Sequence, residues 1–448
     1  MPRATLLTLA LALVTFTNLA MAQDAAKPPA NPGPLTGHWM LTADYLGSPI
    51  NLSMHLSQDG NKLTGDFQGD KLEGSVTGNS LHFLAKDDQG GSEDCTATLQ
   101  GNTLSGTVIW VDGSNPSFPM KVPFTAQLTG KRPAELPKTH EFTPTVFYRQ
   151  FSPTYKPVLT VNPGDTIHTT TVDAGGNDEK GAPRVMGGNP ETGPFYIESA
   201  MPGDTLVIHL VRVQLNRDWA MSDDAIVGRA LDGDLAVKMK DGGKVIRWHL
   251  DRERGIATPE KPSEHLTQYS VPLKPMMGCI AVAPGLTHAP PPTGDSGDWG
   301  GNMDFNEIVE GSTVYLPVRM PGALLYIGDG HAAQGDGELT GNALETSMDV
   351  TFTVDVISGK GVPGPRVESP TLYMAMGLGG SLEDALKDAT SNMADLLTED
   401  YKLTPSEIAQ VLGSAAEIKI SEVADRNVGV VMKLNKERLQ SLTPPAKK

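Results

Sequence analysis

Residues 322–345 read GALLYIGDGHAAQGDGELTGNALE. This stretch sets Asp329, His331, Asp336, Glu338 and Glu345 among closely spaced glycines. An apolar run, Ala323 to Ile327, leads in, and TSMDVTFTVDVI follows, alternating from Met348 to Val356 as a half-buried strand does. Glycines let the backbone turn tightly and approach a ligand closely. Residues two apart in an extended segment share a face, so Asp329 should point with His331, and Asp336 with Glu338. Carboxylates and an imidazole converging in this way suit a divalent cation or general acid–base chemistry. An acidic Gly-rich loop can also be merely solvated, but this one is hemmed by apolar strands rather than by polar linkers.

Outward from that stretch, punctuation is dense. The chain of 448 residues holds 48 Gly and 35 Pro, which favours short strands and many loops, and its length calls for two or three domains. The first 22 residues have the build of a secretory signal: Arg3, an apolar run from Leu6 to Leu19, and Ala20-Met21-Ala22 as an A-x-A cleavage site. Export to the periplasm or beyond is therefore expected, after cleavage near Ala22. The net charge of −17 argues against nucleic acid and anionic membranes as partners, and no other stretch is apolar and long enough to insert in a bilayer. Cys95 and Cys279 are far apart and do not make a disulfide scaffold. A homo-oligomer is expected.

Residues 23–34 read as a flexible leader. Residues 35–128 form short alternating runs with weakly self-similar turns (LTGDFQG, LEGSVTGN, LQGNTLSG), predicting an N-terminal β module, a small barrel or sandwich. His38, His55 and His82 sit on it as ordinary strand residues. A Lys/Pro-rich linker, 129–144, precedes a β-rich body, 145–369. There Pro163-Gly164-Asp165 and Pro202-Gly203-Asp204 each join two strands, and Asp173 stands where a strand gives way to a Gly loop. Cys279 lies in an apolar strand with no base beside it in sequence, so it reads as a buried structural thiol. Gly294-Asp295-Ser296-Gly297 resembles the nucleophile loop of chymotrypsin-like proteases, but Asp298-Trp299 follow it and no matching histidine motif precedes it. Residues 370–448 read as an α+β end: Leu382 to Leu397 carry apolar residues at helical spacing behind Ser381, Thr404-Pro405-Ser406-Glu407 opens a second helix, and VGVVMKL makes a strand. No chemistry is expected from this tail.

GGNMDFNEIVEGSTVYLPVRMPGALLYIGDGHAAQGDGELTGNALE resembles the acetamidase/formamidase family, as do NPETGPFYIESAMPGDTLVIHL and VPLKPMMGCIAVAP. The tail SLEDALKDATSNMADLL with LTPSEIAQVL is similar to the C-terminal region of that family, so the likeness runs from about Val158 to Val431. The N-terminal module and the signal lie outside the usual family pattern. Many members have His-Pro where this chain has Asn189-Pro190. The resemblance implies a mainly β protein: the N-terminal module, then a β-sandwich and β-barrel body with an α+β end. It also implies a metal-dependent amidase acting on short linear amides, a small-molecule substrate.

On that basis Asp173, Asp304, Asp329 and His331 are the expected metal ligands, brought from separate segments. The metal is a divalent cation, zinc first and calcium second. Glu338, then Glu345, with Asp336 beside them, are the candidates for proton transfer. Asn302 and Gln334 are the candidates to hold substrate at the developing oxyanion. The alternative of another class is a secreted, calcium-stabilised binding protein on the same scaffold. The acidic loop does not fit the EF-hand spacing, however, and the His331/Glu338 pair favours the enzyme.

Overall fold

The computed structural model describes residues 34–129, 136–240, 242–285, 289–440 and 442. The signal, the leader up to residue 33 and residues 130–135 of the linker lie outside the described residues. The protein is mainly β.

The first unit is a closed antiparallel meander of eight strands, from Gly37–Tyr45 to Met120–Thr129, with the first strand pairing the last. The two-residue period decides what fills it. In Ser80–Lys86, Leu81, Phe83 and Ala85 point inward while Ser80, His82 and Lys86 face solvent. Trp39, Leu41, Met54, Phe67, Phe83, Leu104 and Val108 are all but inaccessible, so the interior is filled by side chains. Closure removes the exposed edges that an eight-stranded open sheet would carry. The barrel leans on the body at Met40, whose Sδ accepts a hydrogen bond from Tyr196 Oη at 2.7 Å.

Beyond the linker, two sheets share one hydrophobic core, to which Ile208, Leu210 and Phe352 come from one side and Ile280, Leu325 and Ile327 from the other. The nine-stranded sheet is built around Thr205–Leu215 and Met348–Ile357, which pair antiparallel. At the centre of the eleven-stranded sheet lies Leu325–His331, antiparallel to Met276–Ala281, to Thr192–Ile197 and to the short strand Glu345–Thr346. Every residue of Leu325–His331 and of Met276–Ala281 is buried, the signature of strands covered on both faces.

The end of the chain folds onto the nine-stranded sheet. Helix Leu382–Tyr401 is capped by Ser381, whose Oγ accepts from the Asp384 backbone N–H at 3.1 Å. Ala385, Ala389, Met393 and Leu397 pack it on the strands Leu372–Gly379 and Val428–Asn435. Helix Pro405–Ala415 carries a reciprocal capping box between Thr404 and Glu407. The turn between Glu417–Glu422 and Val428–Asn435 then reaches back to the eleven-stranded sheet.

Candidate active site

Asp329 and His331 stand two residues apart on the central strand and do share a face. His331 Nε2 lies 3.3 Å from Asp329 Oδ2, 3.2 Å from Glu345 Oε1 and 3.8 Å from Asp304 Oδ1. The cross-strand register places Glu345 opposite His331. Asp304 enters from the loop after Gly300–Asn302, and Glu338 from the turn that follows the central strand. Two sets of ligand atoms are each grouped within 4.8 Å: Asp304, His331 and Glu338, and Asp329, His331 and Glu345. All five residues are buried.

Two glycines make room for acids here, one for Asp304 and Asp329 and one for a further buried acid, Glu191. A Cβ on Gly278 would fall 2.5 Å from both Asp304 Oδ1 and Asp329 Oδ2, and one on Gly328 would fall 2.2 Å from Glu191 Oε2. Asp304, Asp329 and Glu338 themselves have φ of 39°, 52° and 43°. A left-handed backbone costs a non-glycine residue roughly 1–2 kcal/mol. Three such residues around one imidazole mean that the surroundings hold these carboxylates in place against local preference.

The hydrogen bonds fix the imidazole tautomer. Gln334 Nε2 donates to the carbonyls of Asp304 (2.5 Å) and Ser421 (3.2 Å), so its Oε1 must be the atom 2.9 Å from His331 Nδ1. Nδ1 therefore carries the hydrogen, and Nε2 turns toward the carboxylates with no hydrogen-bond partner. Asp304 Oδ1, Asp329 Oδ1 and Glu345 Oε2 are likewise buried without partners. Glu338 Oε1 and Glu345 Oε1 share one donor, the Ala343 N–H, at 3.1 and 2.9 Å. Asn302 Nδ2 bridges Asp304 Oδ2 (2.6 Å) and Asp425 Oδ2 (2.7 Å), and its own carbonyl accepts from Asn189 Nδ2 at 3.0 Å.

Crowding and burial shape the protonation. Burial, then the neighbouring Glu338 and Asp329, pushes Asp304 well above the usual carboxylate range. Burial does the same to Glu338, against the opposing pull of His331, and raises Glu345 to about 7. Burial alone would strip His331 of its proton, but Glu345 and Asp329 outweigh it and raise the imidazole well above its ordinary value. Buried acids crowded in this way retain protons unless a positive charge stands among them.

Several expected site residues lie elsewhere. Asp173 does not join the imidazole. Its Oδ2 pairs at 2.7 Å with Arg217 Nη2, and its Oδ1 takes the Asn177 N–H. Arg217 is buried against the Trp219 ring and demands a counter-charge, which Asp173 provides; the guanidinium in turn donates to Glu345 O and Thr346 Oγ1. Asp173 thus steadies the strand that bears Glu345. Asp336 parts from Glu338 because the segment turns at Gly337 (φ 84°) instead of staying extended. Its carboxylate meets Asn306 and Lys419 at the surface and is held below its ordinary pKa, burial being outweighed by those two partners. Asn302 and Gln334 direct their donors to Asp304, Asp425 and backbone carbonyls, and so organise the acids.

Asp425 and Glu422 were not expected, since the tail read as lacking chemistry. Burial is the first cause that raises Asp425 to about 6 and Glu422 to about 8. Glu191 is fully buried beside Cys279, with both oxygens unpartnered, and burial and Asp329 raise it well above the usual range. Burial and the nearby acids push the Cys279 thiol up as well, in keeping with an unreactive structural cysteine.

Residues 291–426 match the sequence profile of the Acetamidase/Formamidase family. The crystal structure of an acetamidase from Bacillus halodurans superposes with a TM-score of 0.58 at 28% identity, over 68% of this chain and 99% of that one. An acetamidase from Yersinia enterocolitica gives 0.59 at 28%, over 69% and 96%. A formamidase from Methylophilus methylotrophus is 23% identical over 245 residues, 43% of this chain and 59% of that protein. In sequence profile and in fold, the body of this chain is similar to the acetamidase/formamidase family. The chain spans 17%, 59% and 15% of the lengths of the three curated relatives it matches. The stretch matching the acetamidase/formamidase profile contains Asp304, Asp329, His331, Glu338, Glu345 and Asp425, and leaves out Asp173, Asn189 and the barrel. Among the described residues, no helix is long and apolar enough to cross a membrane.

Proposed function

We propose that this protein is a metal-dependent amidase that hydrolyses the C–N bond of short linear amides, with formamide and acetamide as the type substrates. One observation carries the reading: within a body similar to the acetamidase/formamidase family, the unpartnered His331 Nε2 lies 3.2–3.8 Å from carboxylate oxygens of Asp304, Asp329 and Glu345, and each of these buried carboxylates has one oxygen without a hydrogen-bond partner. The residues fit a cation. Metal–ligand bonds of about 2.0 Å in a tetrahedron put neighbouring ligand atoms about 3.3 Å apart. The separations from Nε2 to Asp329 (3.3 Å) and to Glu345 (3.2 Å) match that spacing, while Asp304, at 3.8 Å, stands slightly further off. Asp329, His331 and Glu345 would thus be the first ligands, with Asp304 completing the set. The imidazole nitrogen favours zinc, and the surplus of carboxylates keeps calcium as the second choice.

When bound, a divalent cation polarises the amide carbonyl and lowers the pKa of water. The rest falls to the side chains. Gln334 keeps the His331 Nε2 lone pair available by holding the hydrogen on Nδ1. Glu338 belongs with Asp304 to the other group around the same imidazole and is the proton carrier. Water bonds to the carbonyl carbon as Glu338 takes one of its protons; the C–N bond then breaks, that proton passes to the nitrogen, and the carboxylic acid and ammonia leave, the acid passing its remaining proton to ammonia in water to give carboxylate and ammonium. A buried carboxyl whose affinity for protons is raised suits a group that must both take and return one.

Ammonia release from formamide, acetamide and longer primary amides, with and without chelator, tests this. Turnover that chelator abolishes and zinc restores is expected; no ammonia from any amide by the metal-loaded protein would overturn it. Export after cleavage near Ala22 and assembly into a homo-oligomer belong to the same proposal. N-terminal sequencing of the exported protein should begin at Gln23, and its mass in solution should be a multiple of the chain's.

A further inference from the structure

Beside the cluster lies a cavity of about 410 Å³ whose wall includes Glu345, Met221, Asp223, Asn342, Asn189 and Val245. It is far larger than acetamide requires. Glu345 is buried, lines this cavity and also belongs to the Asp329–His331–Glu345 group, so an amide held by the group has the cavity beside it. Glu345 Oε2 is without a hydrogen-bond partner.

The strand geometry says what lies further along. Trp219–Asp223 pairs with the Glu345 strand, and Met221 stands opposite Glu345. Opposed residues of an antiparallel pair project to the same face, as do residues two apart on one strand. Met221, Asp223 and Glu345 therefore line one wall, with Asp223 about 7 Å beyond Met221 at ~3.4 Å per residue. Asp223 Oδ2 is held at 2.5 Å by Asn342 Nδ2, which fixes the carboxylate in place, and Asp223 is only partly exposed. Among the described residues, the charges around the cavity are Asp173, Asp223 and Glu345, and no Lys or Arg lines it. Arg217 cancels Asp173 from behind, and Glu345 faces His331. Asp223 remains as a fixed negative charge at the far end of a roomy, partly apolar wall.

We propose that the cavity accepts the tail of a primary amide, and that Asp223 selects tails ending in a cation, as in an ω-amino amide. The proposal rests on the amidase reading and adds the substrate class. The amide group lies at the Glu345 end, a few methylenes run past Met221 and Val245, and an ammonium meets Asp223. A partly exposed ion pair of this kind is screened by salt, so the preference should weaken as ionic strength rises.

The test compares kcat/KM for δ-aminovaleramide with that for hexanamide, a neutral amide of equal length, on the metal-loaded full chain at low and high salt. A preference of about tenfold for the cationic amide, shrinking with salt, is expected; tenfold is ~1.4 kcal/mol. Asp223→Asn should bring the ratio near one, and Asp223→Lys should favour glutaramate, whose tail is anionic. Because each ratio is taken on one protein, a general loss of activity in a variant cancels. Acetamide turnover with no preference between the two tails would overturn the cation subsite and leave the amidase standing. No turnover of any amide, acetamide included, would overturn both. The wild-type ratio and its salt dependence decide the matter even if the variants do not fold.

Discussion

The barrel and the central strand of the body are both closely packed β-structure, yet they bury opposite things. In the barrel strand Ser80–Lys86 every second residue is apolar and faces in, and the inward set accounts for the fold by itself. Leu325–His331 is buried from end to end, and its last three residues are Asp329, Gly330 and His331. Burying an ionisable group without a partner costs several kcal/mol, unless a counter-charge is present. Glu93 apart, the barrel thus explains itself by packing, whereas the centre of the body gathers buried acids that packing does not account for and that the proposed cation would.

The largest effect should come from the body. Glu338→Gln keeps the shape of the side chain and should leave metal content in place while lowering turnover about 10²–10⁴-fold, the usual weight of a general base. Full activity in this variant would move the proton carrier to another acid, with Asp425 next in line. The barrel should behave in the reverse way. Phe83→Ala empties part of a filled core and should cost about 3–5 kcal/mol of barrel stability, read by denaturant unfolding, with turnover per folded molecule unchanged. Loss of turnover would show that the contact between Met40 and Tyr196 carries more than docking.

Metal removal comes next. A ligand at a hundredfold excess over its Kd stabilises the state that binds it by about 2.7 kcal/mol. Chelation should therefore lower the unfolding transition of the body and leave that of the barrel where it was; equal shifts in both would erase the distinction between them. The last effect concerns Glu93, an inward-facing acid of the barrel. Burial, then Asp70 and Asp87, raises it to about 7. Its folded pKa exceeds its unfolded value of about 4.3, so the fold holds this proton more tightly than the open chain does. Below about 4.3 the carboxyl is protonated in both states and adds no ionisation penalty, and barrel stability should then fall as pH rises toward about 7. Glu93→Gln should remove that slope and make the barrel steadier at alkaline pH, which thermal unfolding at several pH values would show.

What the sequence made legible follows the reach of each signal. The shared face of Asp329 and His331 could be read because both lie on one extended strand, where a spacing of two has a fixed meaning. The same spacing failed at Asp336 and Glu338, since Gly337 bends the chain between them and the period no longer applies. The meander of the barrel could be read from local turn chemistry. Asp425 could not: it reaches Asn302 across 123 residues, through a hairpin whose own pattern is that of ordinary packing. Asp173 looked like a ligand because it ends a strand at a Gly loop, and nothing local announced that Arg217, 44 residues away, would claim it.

Metal content measured on the dialysed full-length protein and on His331→Ala tests the central claim most directly. The account predicts about one zinc ion per chain in the wild type, in line with a single imidazole at a closed site, and little or none in the variant at unchanged secondary structure. A wild-type protein that retains no divalent cation after exposure to zinc or calcium, or a variant that retains as much as the wild type, would contradict it.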